Sequence, residues 1–368
     1  MVYGTSVVNN MTSCPGGADA STSSVRLDWP DAAKGVGIVL VVAGHMLGGL
    51  IDSDLAFAGW PLREVFVAVY AFHMPLFFLL SGLFVAARIE RDPRAFLNGI
   101  ARNIYYPYLL WSFIQFSLIY VMGAWTNTPP GPYWVTVLSI PFSPLSQFWF
   151  LLVLACMHIG AFVLLPRVGA MTLVLLGLVM RSVSMIFMPN SVPQMLLDFF
   201  FFYALGVLLG PAGVLNVIKP NRHARAILGM LLAVGLLIMT VQVMIARSPA
   251  IVFYQDNPRL AAALLSRIGW DHVGLGAALA MTAAVIVMAE NARGAVRRAL
   301  LYLGRLSLPI YILHVMFVAG ARIVLIKIFG VTNIAILLPV LLIVGIGGPL
   351  VANTILSRLR LARPLGLA

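Results

Sequence analysis

Ten apolar runs, each about as long as a bilayer is thick, constrain this chain more than any other feature. They cover approximately residues 34–51, 65–87, 104–123, 147–166, 168–187, 195–211, 225–246, 272–290, 306–329 and 334–356. A helix needs about 20 mostly apolar residues to cross a hydrocarbon core of about 30 Å. Lipid offers backbone polar groups no water, so each run has to be helical. Composition agrees: 61% of the 368 residues are hydrophobic, only 10% are charged, and the mean hydropathy is +0.99. A soluble domain carries about 25% charged residues, which excludes a soluble enzyme or a disordered chain. Cys14 and Cys156 sit in unrelated settings and supply neither a disulfide framework nor metal-ligand spacing. The expected fold is an all-α polytopic membrane protein with about ten transmembrane helices and no internal repeat.

Charge placement sets the orientation. With both termini in the cytoplasm, 17 of the 24 basic residues fall on inward segments, including Lys34, Arg88, Arg91, Arg94, Arg102, Arg167, Arg305 and Arg358. The outward segment 52–64 carries Asp52, Asp54 and Glu64 against Arg63, and segment 124–146 carries no charge. The positive-inside rule supports this arrangement, so the net charge of +12 is mainly a topology signal and nucleic acid is set aside. Residues 1–24 are expected to form a flexible cytoplasmic tail, 25–357 a membrane domain and 358–368 a basic cytoplasmic tail. No secretory signal opens the sequence. Only Pro166-Arg167 separates the fourth and fifth runs, which predicts a tight hairpin there.

Ionisable groups inside such runs are costly and point to function. His45, His73, His158, Arg181, Asp198 and His314 all fall within them. His45 lies about 16 Å along its helix from Lys34, and eleven residues make three turns plus about 20°, so both share one face. His73 and His314 each lie about 12 Å inside their own runs. Each residue also has a plainer role. Lys34 suits a snorkelling position at a helix end, and a histidine can serve as an interhelical hydrogen-bonding group. His73 can relieve a kink at Pro75, Asp31 can cap the first helix, and His158 reads as structural. Ser81-Gly82 suits close helix packing better than nucleophilic chemistry.

The stretch from Arg26 through Asp31 and Lys34 to Ala43-Gly44-His45 resembles the opening of the bacterial integral-membrane acyltransferase family 3, with its basic residue, ten intervening positions and histidine. Phe72-His73-Met74-Pro75 through Ser81-Gly82 resembles the next block, and Arg102 through Pro107-Tyr108 the one after it. Trp149-Phe150-Leu151 and Gly304 through Ser307, Tyr311 and His314 follow in order. The likeness spans roughly 26–356, and the first three blocks lean toward the fucose 4-O-acetylase-like branch. Two positions depart from the pattern: Pro30 replaces a bulky aliphatic residue, and Gly99 stands where a partner arginine three positions before Arg102 is usual.

The resemblance implies an O-acyltransferase of the bacterial inner membrane, with the acyl transfer completed inside the membrane domain or on a separate protein. The acyl group, usually acetyl, would pass from cytoplasmic acyl-CoA to a hydroxyl of a surface or lipid-linked glycan. It implies acetyl-CoA as co-substrate, no tightly bound cofactor and no metal. His45 and His73 are the expected catalytic residues, with Asp31, Tyr311 and His314 in support. Lys34 and Arg102 are the expected donor-binding residues, since Arg forks match phosphate. An imidazole can take the hydroxyl proton or carry the acyl group itself, and both routes stay open. Tyr133, Trp134 and the aromatic residues of 247–271 suit either sugar contact or interfacial anchoring. The competing reading is a polytopic transporter or lipid-linked glycan flippase whose histidines line a substrate path.

Overall fold

The computed structural model describes residues 27–53, 60–123, 132–184, 191–218, 223–246 and 260–367. The segment 1–24, Arg26, Trp125, Tyr254, Asp256 and Arg259 lie outside them. The described residues form helices and turns with no strand. In chain order the helices are α1 (Trp29–Ile51), α2 (Leu62–Tyr70), α3 (His73–Gly82), α4 (Val85–Arg91), α5 (Pro93–Ile100), α6 (Tyr106–Val121) and α7 (Tyr133–Ser139). Then come α8 (Trp149–Val183), α9 (Val192–Ile218), α10 (Ala224–Ala246), α11 (Leu260–Asn291), α12 (Gly294–Arg305), α13 (Ser307–Ile323) and α14 (Ile334–Arg358). The chain is a multi-pass, all-α membrane protein. Eight helical runs among the described residues are long and apolar enough to cross a bilayer.

The expected runs map onto these with instructive differences. The run Ser146–Val183 is 38 residues long, or about 57 Å of helix, far more than one crossing needs. It breaks at Gly169, whose φ of 76° is open to glycine but not to other residues without strain. The break is a reversal. His158 lies against Tyr203 and Gly177 against Phe201, so positions 19 residues apart on α8 meet positions two apart on α9. The hairpin expected at Pro166-Arg167 therefore turns three residues later. The seventh run is the helix α10, Ala224–Ala246, as expected.

The second run is not one helix. It breaks at Ala71-Phe72, where Pro75 has no N–H for the Ala71 carbonyl, and again at Leu83-Phe84. Just before the second break, α3 crosses α9 with Gly82 against the Tyr203 carbonyl and Gly206 against the Leu79 carbonyl. Any side chain at either glycine would force the helices apart. Ser81 donates to the Phe77 carbonyl at 2.7 Å. Ser81-Gly82 is thus a packing element.

Segment 124–146 departs most from its expectation as an outward loop. At its start the Tyr133 hydroxyl meets Ser117 at 3.0 Å. Seven residues on, the Ile140 carbonyl accepts from the Tyr108 hydroxyl, and the Pro141 carbonyl from Tyr105 at 3.4 Å. Ser117 and Tyr108 are nine residues apart on α6, so α7 runs back along α6 for about 14 Å. The chain then returns to Gln147, whose amide exchanges hydrogen bonds of 3.2 and 2.8 Å with Gln115. Irregular backbone is tolerated inside a membrane only where protein satisfies it. Here tyrosine hydroxyls do so. Trp134 is 70% exposed and Phe142 82%, and with Val135 and Leu138 they make one apolar stripe. Trp134 is thus an open aromatic face on the outside of the bundle.

At the centre stands α1. No residue from Trp29 to Leu50 is exposed, so protein encloses this helix on every side. Its approach to α12 depends on Gly35, which faces the Leu300 carbonyl, and on Gly304, which faces the Asp31 carbonyl. Helix α13 is enclosed likewise, with no exposed residue in Ser307–Ile323. The residues singled out from the sequence ride on these two helices and on the broken α2–α3 run.

Candidate active site

At the end of α1 that carries Lys34, here called the inner end, charges from two segments converge. Lys34 pairs with Asp31 at 3.6 Å, and Arg305 reaches Asp31 at 3.8 Å and Asp28 at 3.7 Å. Arg297 reaches Asp28 at 3.5 Å. Asp28 stands at the N-cap without a side-chain cap bond and, like Asp31, is engaged in ion pairs. Among the described ion pairs three cations meet two carboxylates, an excess of positive charge that suits phosphates. Arg297 and Arg305 entered the sequence argument only as topology residues. Their tie to Asp31 comes from the Gly35–Gly304 crossing, which no local pattern reveals.

Arg102 is placed differently. It is exposed on a π-helical turn, Ala101–Tyr105, between α5 and α6, and its guanidinium joins none of the ion pairs around Asp31. Lys34 and Arg102 are therefore separate features of the inner end. The same π turn lies beside the chain terminus. The Tyr106 hydroxyl donates to the Pro364 carbonyl at 2.6 Å, and the Trp111 indole to the Leu365 carbonyl at 2.8 Å. Residues 358–368, expected to be a basic tail, thus include a segment docked on α6, with Leu367 buried.

Deeper in the bundle the three mid-span histidines come together. The His45 and His314 rings lie 4.9 Å apart, edge to face. Tyr70 bridges to the third histidine, 6.2 Å from His45 and 4.7 Å from His73. The three imidazoles are close enough to interact electrostatically. His158 is not among them. It stacks on Phe96 at 5.6 Å and bonds to the Leu154 carbonyl at 3.0 Å, as its structural reading requires.

The histidines differ in what their nitrogens do. In His73, Nδ1 donates to the Val69 carbonyl at 2.7 Å, across the Ala71-Phe72 break. The kink-relief role is real, and it uses one nitrogen. In His314, Nδ1 donates to the Tyr311 carbonyl at 2.7 Å and the Ile310 carbonyl at 3.1 Å. That tautomer leaves Nε2 a proton-free acceptor, and this atom is fully buried without a protein partner. Such an orphan is costly in an apolar interior unless something occupies it. Among the described residues, His45 bonds to no carbonyl of its own helix. It is also partly exposed although α1 is enclosed, so its open face looks into the bundle interior.

Tyr311 has a supporting task. Its hydroxyl donates to the Gln147 carbonyl, and the Gln147 amide reaches the Ile312 carbonyl at 3.4 Å. The returning chain after α7 is thereby pinned one turn below His314. The sequence argument did not select Tyr70, Gln115, Gln147 or Arg322. Tyr70 had a signal, since it precedes His73 by three residues in the same run. The Gln pair joins runs 32 residues apart and had none.

Set beside known proteins, residues 27–355 match a family model described as an acyltransferase domain. The nodulation protein NolL of Mesorhizobium japonicum is 32% identical over 142 residues, which are 38% of this chain and 35% of that protein. NolL of Sinorhizobium fredii is 36% identical over 84 residues, 22% of each chain. The matched stretch thus spans about a third or less of these relatives. No solved structure matches.

Proposed function

This chain belongs to the integral-membrane acyltransferase family 3, and from that premise we propose that it is an O-acyltransferase drawing on acyl-CoA, most simply acetyl-CoA. The acceptor in this reading is a hydroxyl of a surface or lipid-linked glycan, and the setting is a bacterial inner membrane with Lys34 on the cytoplasmic side. The observation that carries the proposal is His45: an imidazole without helix-carbonyl ties, on an enclosed helix, open to the interior and flanked by Tyr70 and His314.

In this reading the donor's phosphates rest at the inner mouth around Lys34, and its pantetheine arm spans the roughly 16 Å to His45. Arg102, exposed near that end, supplies a further phosphate contact. The His314 ring, edge to face with His45 at 4.9 Å, holds that imidazole in place, and a His45 nitrogen serves as the base. As the sugar oxygen bonds to the thioester carbon, the carbon–sulfur bond breaks. The hydroxyl proton passes to His45 and then to the departing thiolate. In the two-step form, His45 nitrogen first bonds the acyl carbon as CoA leaves as thiolate; the sugar oxygen then bonds that carbon as the carbon–nitrogen bond breaks, and the hydroxyl proton passes to the freed imidazole. His73 faces the same space with Nε2, because its Nδ1 is held at the kink.

Membranes containing the protein, given acetyl-labelled acetyl-CoA and a fucosyl glycoside, are expected to move label to the glycoside and lose that transfer in His45→Ala. Glycan translocation without label transfer would favour the flippase instead.

A further inference from the structure

Beyond His45, the same stripe of α1 continues to the other end of the bundle. Asp52 follows His45 by seven residues, two turns less about 20°, so Lys34, His45 and Asp52 line one face. Eighteen residues from Lys34 to Asp52 make about 27 Å, close to the full hydrocarbon thickness. A cation stands at one mouth, an imidazole in the middle and a carboxylate at the other mouth.

Between His45 and Asp52 the face carries only Gly48 and Gly49, both partly exposed. Around this notch three side chains gather from two other helices. Phe66 lies over Gly48, where an added methyl would come within 3.1 Å of its ring. Phe66 packs on Tyr70 with ring centres 4.2 Å apart. From α13, Arg322 donates to the Gly49 carbonyl at 2.9 Å. Asp52 lies within electrostatic reach of both the Arg322 guanidinium and the Tyr70 hydroxyl.

We propose that this notch, bounded by Asp52, Arg322, Tyr70 and Phe66 above His45, is the acceptor subsite and takes a neutral sugar that presents adjacent hydroxyls. The assignment rests on the acyl-transfer reading and adds to it the place and chemical class of the acceptor. A carboxylate accepts from two neighbouring hydroxyls at once, and charge-assisted bonds of this kind are the strong ones. The aromatic pair offers an apolar wall for a pyranose face, with the Tyr70 hydroxyl as a polar tip. Arg322 offsets the charge of Asp52, so an anionic sugar gains no net attraction from this pair. A sugar seated there holds a hydroxyl one to two helical turns from His45, on the side opposite the donor's mouth.

Two measurements on the purified full chain, run in parallel, separate this assignment from the reaction itself. The first is equilibrium binding of p-nitrophenyl α-L-fucopyranoside and of p-nitrophenyl β-D-glucuronide, without donor. The second is label transfer from acetyl-CoA to the fucoside. The wild type should bind the fucoside and discriminate against the glucuronide. Asp52→Asn keeps side-chain volume and Arg322→Gln keeps a polar side chain without the charge, and each should weaken fucoside binding by roughly tenfold or more. The KM for acetyl-CoA should stay unchanged in both. Label transfer with fucoside binding unaltered in both variants would overturn the subsite and leave the reaction standing. Fucoside binding that depends on Asp52, without label transfer, would uphold the subsite and overturn the reaction. Absence of both in the wild type would overturn both.

Discussion

At the residue scale, the interior turns on which nitrogen of each histidine is already engaged. His73 and His314 spend Nδ1 on helix carbonyls, whereas His45 has no such tie among the described residues. Replacing His45 by Ala should abolish transfer, by roughly 10²–10⁴-fold or more, with insertion and folding retained. His45→Gln keeps a hydrogen-bonding group but no base near neutral pH. Near-normal turnover in a well-folded Gln variant would remove His45 from the chemistry. At the inner mouth, Lys34→Ala should weaken acyl-CoA binding more than Lys34→Arg, because the cation matters more than its shape beside Asp31. Arg102→Ala, exposed and outside that ion-pair cluster, should have a smaller and independent effect. Unchanged acyl-CoA affinity in both Ala variants would return Lys34 to snorkelling and Arg102 to topology. These residues were legible because ionisable groups are rare inside apolar runs. Arg322 is equally ionisable, but it sits near the end of its run, where a snorkelling basic residue is ordinary.

At the element scale, helices meet through glycines whose role depends on a neighbour far along the chain. Gly35 and Gly304 let α1 and α12 approach until backbone meets backbone, and that approach delivers Arg305 to Asp31. Gly304→Ala places a methyl against the Asp31 carbonyl, and a backbone atom cannot swing aside. Overpacking of this kind costs about 1–3 kcal/mol or more. The variant should show a lower melting temperature in detergent and weaker acyl-CoA binding, through loss of the Arg305–Asp31 pair. Normal binding in a destabilised protein would mean that the crossing supports the fold without shaping the donor mouth. The sequence showed the apolar runs, but not the breaks that make them useful. A reader can see Pro75, yet the stop at Ala71-Phe72 matters because His73 caps the freed Val69 carbonyl. The re-entrant α7 was still less legible. Its segment is uncharged and proline-rich, as an outer loop often is, and only Tyr105, Tyr108 and Tyr311 reveal that its carbonyls are satisfied inside the bundle.

At the scale of the whole molecule, the internal contacts and the charge count point the same way. Lys34, Arg297 and Arg305 meet at one end of α1, while Asp52 and Arg322 meet at the other. The positive-inside rule would put the first end in the cytoplasm, which is also where an acyl-CoA donor would have to arrive. The two ends therefore carry a testable direction. In a background with Cys14 and Cys156 replaced by Ser, single cysteines can be probed with a membrane-impermeant maleimide in intact cells. Trp60→Cys, half-exposed beyond the outer end of α1, should label. Arg94→Cys, on α5, should label only after the cells are permeabilised. Phe142→Cys decides the fate of the segment after α6. An outer loop would expose position 142 to the reagent, whereas the re-entrant path places it beside Tyr105 and the apolar stripe, shielded from outside. Labelling at position 94 in intact cells would reverse the molecule and carry the donor's mouth to the wrong side of the membrane. Labelling at 142 alone would keep the orientation but take away the polar pinning that holds the returning chain beneath His314.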